Sequence, residues 1–154
     1  LLDTMNSLLN YAKLEASLTN EHTKQQLIFK QDFNLHAMMQ ETVQIFKTAA
    51  HEKQIQLDLK YNSKVEHMYN DPVSLRTVMN NLISNACKFT PNGGQVTVIV
   101  NDKTGEPNPA LEIKVADTGI GIDKKFEPFI FKPFSQQDSK IHRVSEHHCF
   151  TKTC

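Results

Sequence analysis

The sequence predicts an α+β fold, a two-layer sandwich with helices laid on one face of a sheet. Apolar residues recur at three- and four-residue steps near 1–17, 35–51 and 72–89, as in helices that bury one side. The period switches to two over 55–61, 95–101 and 111–116, the mark of half-buried strands. Helical and strand segments come in segregated runs, which favours helices gathered on one side of antiparallel strands.

Taken in order, residues 1 to about 17 form the first amphipathic helix, with Leu1, Leu2, Met5, Leu8, Leu9, Ala12 and Leu14 on its apolar side. Thr19 to Lys24 is a polar connector, and Leu27-Ile28-Phe29 is a short strand candidate. Asp32-Phe33-Asn34 supplies capping residues for a second helix running to about His51. Its expected apolar side is Leu35, Met38, Met39, Val43, Ile45 and Phe46. Ile55, Leu57, Leu59 and Tyr61 alternate with polar residues as a strand, and His67 to Asn70 is another short one. Asp71-Pro72 opens a third helix, an N-cap acceptor followed by proline in the first turn. That helix stops near Thr90-Pro91-Asn92-Gly93-Gly94. Gln95 to Asn101 and Leu111 to Ala116 then make a hairpin, joined by the turn-rich stretch Asp102 to Pro109. No internal repeat is visible.

Composition excludes several classes. Seventeen basic residues balance seventeen acidic ones, so no net field attracts nucleic acid or an anionic membrane. No run reaches the 18 or so apolar residues of a membrane span. The opening Leu1-Leu2-Asp3 is no secretory leader and reads as the middle of something longer. Three unpatterned cysteines, Cys87, Cys149 and Cys154, suit a reducing compartment better than a disulfide framework.

The chemistry-bearing residues lie on the third helix and after the last strand. Asn81, Asn85 and Lys88 are spaced to share one helical face, opposite the apolar stripe Leu75, Val78, Met79, Leu82, Ile83 and Ala86. An asparagine carbonyl is a hard neutral oxygen suited to Mg²⁺. Asn85 is placed to be that ligand, Asn81 to hold a metal-bound water, and Lys88 to neutralise phosphate charge. Alone, two asparagines on a helix read more readily as solvated surface. Asp117-Thr118-Gly119-Ile120-Gly121 follows a strand directly. Its carboxylate can accept from an exocyclic amine, while the glycines permit close backbone approach or positive φ. A plain tight turn explains a lone motif of this kind equally well. It is neither a dinucleotide fingerprint, since Lys124 stands where the third glycine belongs, nor a Walker loop. Phe126, Phe129, Phe131 and Phe134, with Pro128 and Pro133, form a packing segment or a cover over a ligand.

Taken together, these motifs resemble those of sensor histidine kinases. Asp71 to Thr90 looks like the N box, Asp117 to Ile122 the G1 box, and Ile130-Phe131-Lys132-Pro133-Phe134-Ser135-Gln136 the F box. Leu8-Leu9-Asn10-Tyr11-Ala12-Lys13-Leu14-Glu15 is similar to the second helix of the dimerisation and phosphotransfer domain. The resemblance spans residues 1 to about 143 in order and spacing. It implies part of a dimerisation helix over 1–20, a Bergerat-type ATP-binding fold over 25–143, and a divergent tail over 144–154.

By that resemblance, Asp117 reads the adenine amino group, and Gly119, Gly121 and Ile122 border the nucleotide. Asn85 ligates Mg²⁺, Asn81 and Lys88 assist at the phosphates, and Phe131 and Phe134 anchor an ATP lid. The implied reaction is γ-phosphoryl transfer to a histidine, within a homodimer that serves a response regulator receiver domain. The implied setting is the cytoplasmic side of a parent protein, membrane-anchored or not. ATP-hydrolysing relatives of the wider fold place a glutamate where Asn81 stands; an amide cannot deprotonate water, so Asn81 favours kinase over ATPase.

The chain also departs from the family. The phosphoacceptor helix is missing; His51-Glu52 imitates the acceptor dipeptide but sits at a helix-to-strand junction. Val144 to Cys154 holds no glycine where a glycine-rich G2 box is expected, an abrupt change that suggests a shifted reading frame or an unspliced boundary. The strand and helix that complete the family's sheet layer are expected to be absent. His147, His148 and Cys149 lack a fourth ligand at usable spacing for a metal. The expectation is weak nucleotide binding at best and no autophosphorylation by this chain alone. The alternative is a non-catalytic relative that dimerises or docks on a response regulator.

Overall fold

Among the described residues a two-stranded antiparallel sheet and a four-stranded mixed sheet organise the chain, and two helices cover one face of the larger sheet. The computed structural model describes residues 29–103 and 110–125 and the backbone of 149–153. Strand β1 (Gln31–Asn34) pairs antiparallel with β3 (His67–Asn70), matching Gln31 to Asn70 and Asn34 to His67. Strands β2 (Gln56–Tyr61), β4 (Gln95–Lys103), β5 (Ala110–Asp117) and β6 (Cys149–Thr153) form a four-stranded sheet in the order β2-β4-β5-β6. Helix α1 (Leu35–Glu52) connects β1 to β2, and α2 (Pro72–Phe89) connects β3 to β4.

The expected α+β sandwich is present, with one difference in pairing. β2 and β4 run parallel, Leu57 opposite Val96 and Tyr61 opposite Val100. Parallel neighbours need a long crossover, and β3 with α2 supplies it. β4 and β5 make the expected antiparallel hairpin, Val96 opposite Asp117 and Val100 opposite Ile113. The strands run further than their alternation indicates, to Lys103 and from Ala110. β6 lies antiparallel on β5, Ala116 opposite Cys149. Its residues belong to the stretch set apart in the sequence as a divergent tail, and their backbone forms the sheet edge.

The core follows from two periods meeting. Val96, Val98 and Val100 of β4 and Leu111, Ile113 and Val115 of β5 are buried on one face. Leu35, Met38, Met39 and Val43 of α1 and Leu75, Met79, Ile83 and Ala86 of α2 close over them. Each large apolar side chain so buried contributes about 1.5–3 kcal/mol.

Two details of α1 and its approach differ from the sequence reading. Ile45, expected inside, is 62% exposed, and Thr42 is fully buried in the stripe. The Thr42 hydroxyl donates to the Met38 carbonyl at 2.7 Å, so its polar group is satisfied within the helix. The first described strand begins at Gln31, after the proposed Leu27-Ile28-Phe29; Phe29 is 74% exposed outside any strand, and Leu27 and Ile28 lie outside the described residues. The helix proposed over 1–17 lies outside them too. No helix among the described residues is long and apolar enough to cross a membrane.

Candidate functional site: the end of helix α2 and the Asp117 loop

α2 begins where the sequence says it should. Asp71 caps it, with Oδ1 accepting from the amides of Val73 at 3.0 Å and Ser74 at 3.2 Å. Oδ2 accepts from the Ser74 hydroxyl at 2.6 Å. That hydroxyl bond, foremost, and the two amides hold the Asp71 carboxyl below the usual carboxylate range, against the opposing effect of burial. With the helix fixed by its cap and its apolar stripe, Asn81, Asn85 and Lys88 fall on the exposed side. Neither the Asn81 nor the Asn85 side chain hydrogen-bonds to a described residue. The Lys88 ammonium stands 5.2 Å from the centre of the Phe89 ring.

Asp117 closes β5. The alternation that buries Leu111, Ile113 and Val115 puts Asp117 on the same, helix-covered face, directly opposite Val96. Its Oδ1 accepts from the Gly119 amide at 2.8 Å, folding the loop back over the strand end. Thr118 locks the loop to β4: its amide donates to the Gln95 carbonyl at 3.0 Å, and its Oγ1 accepts from the Gln95 amide at 2.9 Å.

Loop and helix meet at Phe89. The Ile120 amide donates to the Phe89 carbonyl at 3.4 Å. A Cβ on Gly119 would come within 2.8 Å of that oxygen, so only glycine lets the loop sit there. Gly121 answers the other expectation for these glycines, with φ +73°. Buried Cys87 lies just inside the junction. Burial, foremost, and the Asp117 charge push its thiol up, while Lys53 opposes them.

The structure therefore joins the α2 C-terminus to the loop of Asp117, Gly119 and Ile120, and leaves Asn81, Asn85 and Lys88 exposed on α2. Gly121 and Ile122 continue the loop, both half-buried. Phe131 and Phe134 lie outside the described residues. Three contributors escaped the sequence reading. Phe89 and Ile120, 49% and 54% exposed, are apolar groups at the meeting point. Lys53, at the end of α1, donates to three carbonyls at the end of α2. Phe89 falls outside the apolar stripe of α2 and Ile120 lies in the loop after β5, so no helical or strand period marks either, and nothing local marks Lys53.

Known proteins resemble this chain in sequence and in fold. The family described as histidine kinase-, DNA gyrase B-, and HSP90-like ATPase matches residues 70–149. The chain is 35% identical over 144 residues to the sensor protein GacS of Pseudomonas syringae pv. syringae, covering 93% of this chain and 15% of that protein. It is 31% identical over 145 residues to the signal transduction histidine-protein kinase BarA of Escherichia coli K12, covering 93% and 15%. The chain thus spans about 15% of the length of these relatives. Histidine kinase ThkA, solved in complex with response regulator protein TrrA, superposes with a TM-score of 0.63 at 20% identity. That superposition covers 86% of this chain and 38% of the other, and shows a shared fold. The matched residues contain α2, the β4–β5 hairpin and the loop at Asp117, and the chain belongs to the histidine kinase-, DNA gyrase B- and HSP90-like ATPase family.

Proposed function

We propose that this chain is the ATP-binding portion of a sensor histidine kinase, presenting Mg-ATP to a phosphoacceptor histidine in two-component signalling. The observation that carries the reading is the junction of α2 with the Asp117 loop through Phe89. It brings the end of the helix that carries two amides and an ammonium to the loop that follows a strand-end carboxylate. One part suits a triphosphate and the other a base with an exocyclic amine.

In this reading the Asp117 carboxylate accepts from the adenine amino group, and Gly119, Gly121 and Ile122 border the ring. Asn85 offers a neutral oxygen to Mg²⁺, and Asn81 holds a water of its shell; two exposed amides without a described partner fit that use. When bound, the ion neutralises charge on the phosphate oxygens. Lys88 adds a point charge at the phosphates, and Phe131 and Phe134 anchor a cover. The acceptor imidazole forms a bond to the γ-phosphorus as the bond to the ADP oxygen breaks. The residues here position and stabilise, which is most of what phosphoryl transfer asks of a protein. Asn81 cannot act as a base on water, so hydrolysis is disfavoured.

The acceptor helix, a second copy of the parent, a response regulator receiver domain and a cytoplasmic location complete the proposal. A second reading, a non-catalytic docking module, draws on one observation: no glycine stands between Val144 and Cys154 to wrap a triphosphate. Titration of the chain with ATP, with and without Mg²⁺, separates the two. Saturable binding that weakens at least about tenfold in Asn85→Ala and in Asp117→Ala supports the kinase reading. Identical titrations for all three proteins would sink it.

A further inference from the structure

We propose that Lys53 is a positioning residue for the nucleotide site, because its ammonium seizes the last carbonyls of α2 and so fixes that helix end against the Asp117 loop. This rests on the nucleotide-binding reading above.

The last turn of a helix leaves carbonyls without intrahelical partners and carries partial negative charge. In α2 those carbonyls belong to Cys87, Lys88, Phe89 and Thr90. Lys53 Nζ donates to Cys87 at 2.7 Å, to Lys88 at 3.2 Å and to Thr90 at 3.3 Å. An ammonium has three protons, and here three acceptors surround it. The fourth carbonyl, that of Phe89, is left for the Ile120 amide of the loop. One cation therefore decides which carbonyl faces the loop.

The backbone of Lys53 is fixed at its own end. Its amide donates to the Ala50 carbonyl at 3.1 Å, capping α1. Its carbonyl accepts from Gly93 at 3.2 Å, in the turn that follows α2. Gln54 next to it takes φ +56°, the only described non-glycine residue with positive φ. The α1–β2 turn is thus shaped to aim one side chain at the end of another helix. Two consequences reach the nucleotide. Lys88 sits on the turn that Lys53 holds and Asn85 on the turn before it, so their placement relative to Asp117 depends on it. The positive charge also offsets the negative helix end, which would otherwise oppose a triphosphate drawn to Lys88.

The test compares wild type, Lys53→Met, Lys53→Gln and Lys53→Arg by amide NMR, first ligand-free and then titrated with Mg-ATP. The ligand-free Gly119 and Ile120 signals should move in Lys53→Met while those of Leu35 to Met39 stay in place. The Mg-ATP dissociation constant should rise about tenfold, and Lys53→Arg, which keeps the charge but presents it as a planar fork, should show smaller changes than Lys53→Met. Should Lys53→Met fail to fold, Lys53→Gln, which keeps a donor but no charge, should show the same loop shifts. Unmoved Gly119 and Ile120 signals, or an unchanged dissociation constant, would overturn the inference. If wild type itself shows no shift with Mg-ATP, the function proposed above fails, while the ligand-free comparison still decides whether Lys53 sets the loop.

Discussion

Gly119 and Phe89 stand so close that a Cβ added to the glycine would lie 2.8 Å from the Phe89 carbonyl oxygen and 2.6 Å from the Asp117 carboxylate. The first obstacle is helix backbone and cannot swing aside. Gly119→Ala therefore has to push the loop off the end of α2. The expected cost is about 1–3 kcal/mol of stability, read as a lower urea midpoint, with weakened Mg-ATP binding because Asp117 moves too. Gly93 supplies the control: its φ is +81°, yet nothing lies within 4 Å of an added Cβ. Gly93→Ala should cost about 1–2 kcal/mol through backbone strain and weaken nucleotide binding less than Gly119→Ala does, because no steric contact pushes the Asp117 loop. Equal affinities for wild type and Gly119→Ala would show that the contact does not shape the site.

Asp71 gives the helix a dependence on pH. Its folded carboxyl titrates below its ordinary value, so the unfolded chain takes up this proton first as pH falls. The stabilisation is complete above the ordinary carboxylate pKa and is lost as pH drops through the lowered folded value. Asp71→Asn keeps an acceptor for the Val73 and Ser74 amides but removes the charge. It should flatten this part of the acid unfolding curve. Asp71→Ala should lower stability by about 1 kcal/mol at neutral pH. Urea midpoints measured from pH 3 to 7 for the three proteins check both statements; parallel curves for wild type and Asp71→Asn would refute the charge effect.

α1 shows why the sequence reading of the core went astray at two positions. Hydropathy alone ranks Ile45 inside and Thr42 outside, but the stripe through Leu35, Met38, Met39, Val43 and Phe46 has room for only one of them. Geometry chooses Thr42, whose hydroxyl is neutralised by its own helix at Met38. Substitutions should follow geometry. Ile45→Lys should change stability by less than about 0.5 kcal/mol, and Met39→Ala, at a fully buried site, should cost about 2–5 kcal/mol. Thermal melts of the two variants decide it, and a large loss in Ile45→Lys would mean that this face is covered.

The same contrast separates what was legible at the site from what was not. Asp71-Pro72, the Asn81–Asn85–Lys88 face and the Asp117 loop are written in local spacing, because caps, helical period and strand ends act over a few residues. The parallel pairing of β2 with β4 is not local, since nothing in either strand states its partner's direction. Lys53 is less visible still: its three acceptors lie 34 to 37 residues away, and no pattern in the chain ties a lysine after one helix to the end of another.

Base selectivity tests Asp117 most directly. A carboxylate accepts hydrogen bonds and donates none, so it suits a ring that carries an amino group and opposes one that presents a carbonyl in its place. ATP has the amine, whereas ITP has an oxygen there. Replacing the donor by an acceptor leaves a half-buried carboxylate facing a lone pair, a loss of about 1–3 kcal/mol. Mg-ATP should therefore bind about tenfold to a hundredfold more tightly than Mg-ITP. In Asp117→Ala the preference should collapse because ATP weakens while ITP holds or improves. Competition titrations of both nucleotides against both proteins give the four dissociation constants. A preference for ATP that survives in Asp117→Ala would assign base recognition to another group, with the Gln95 end of β4 and the Thr118 hydroxyl the nearest alternatives.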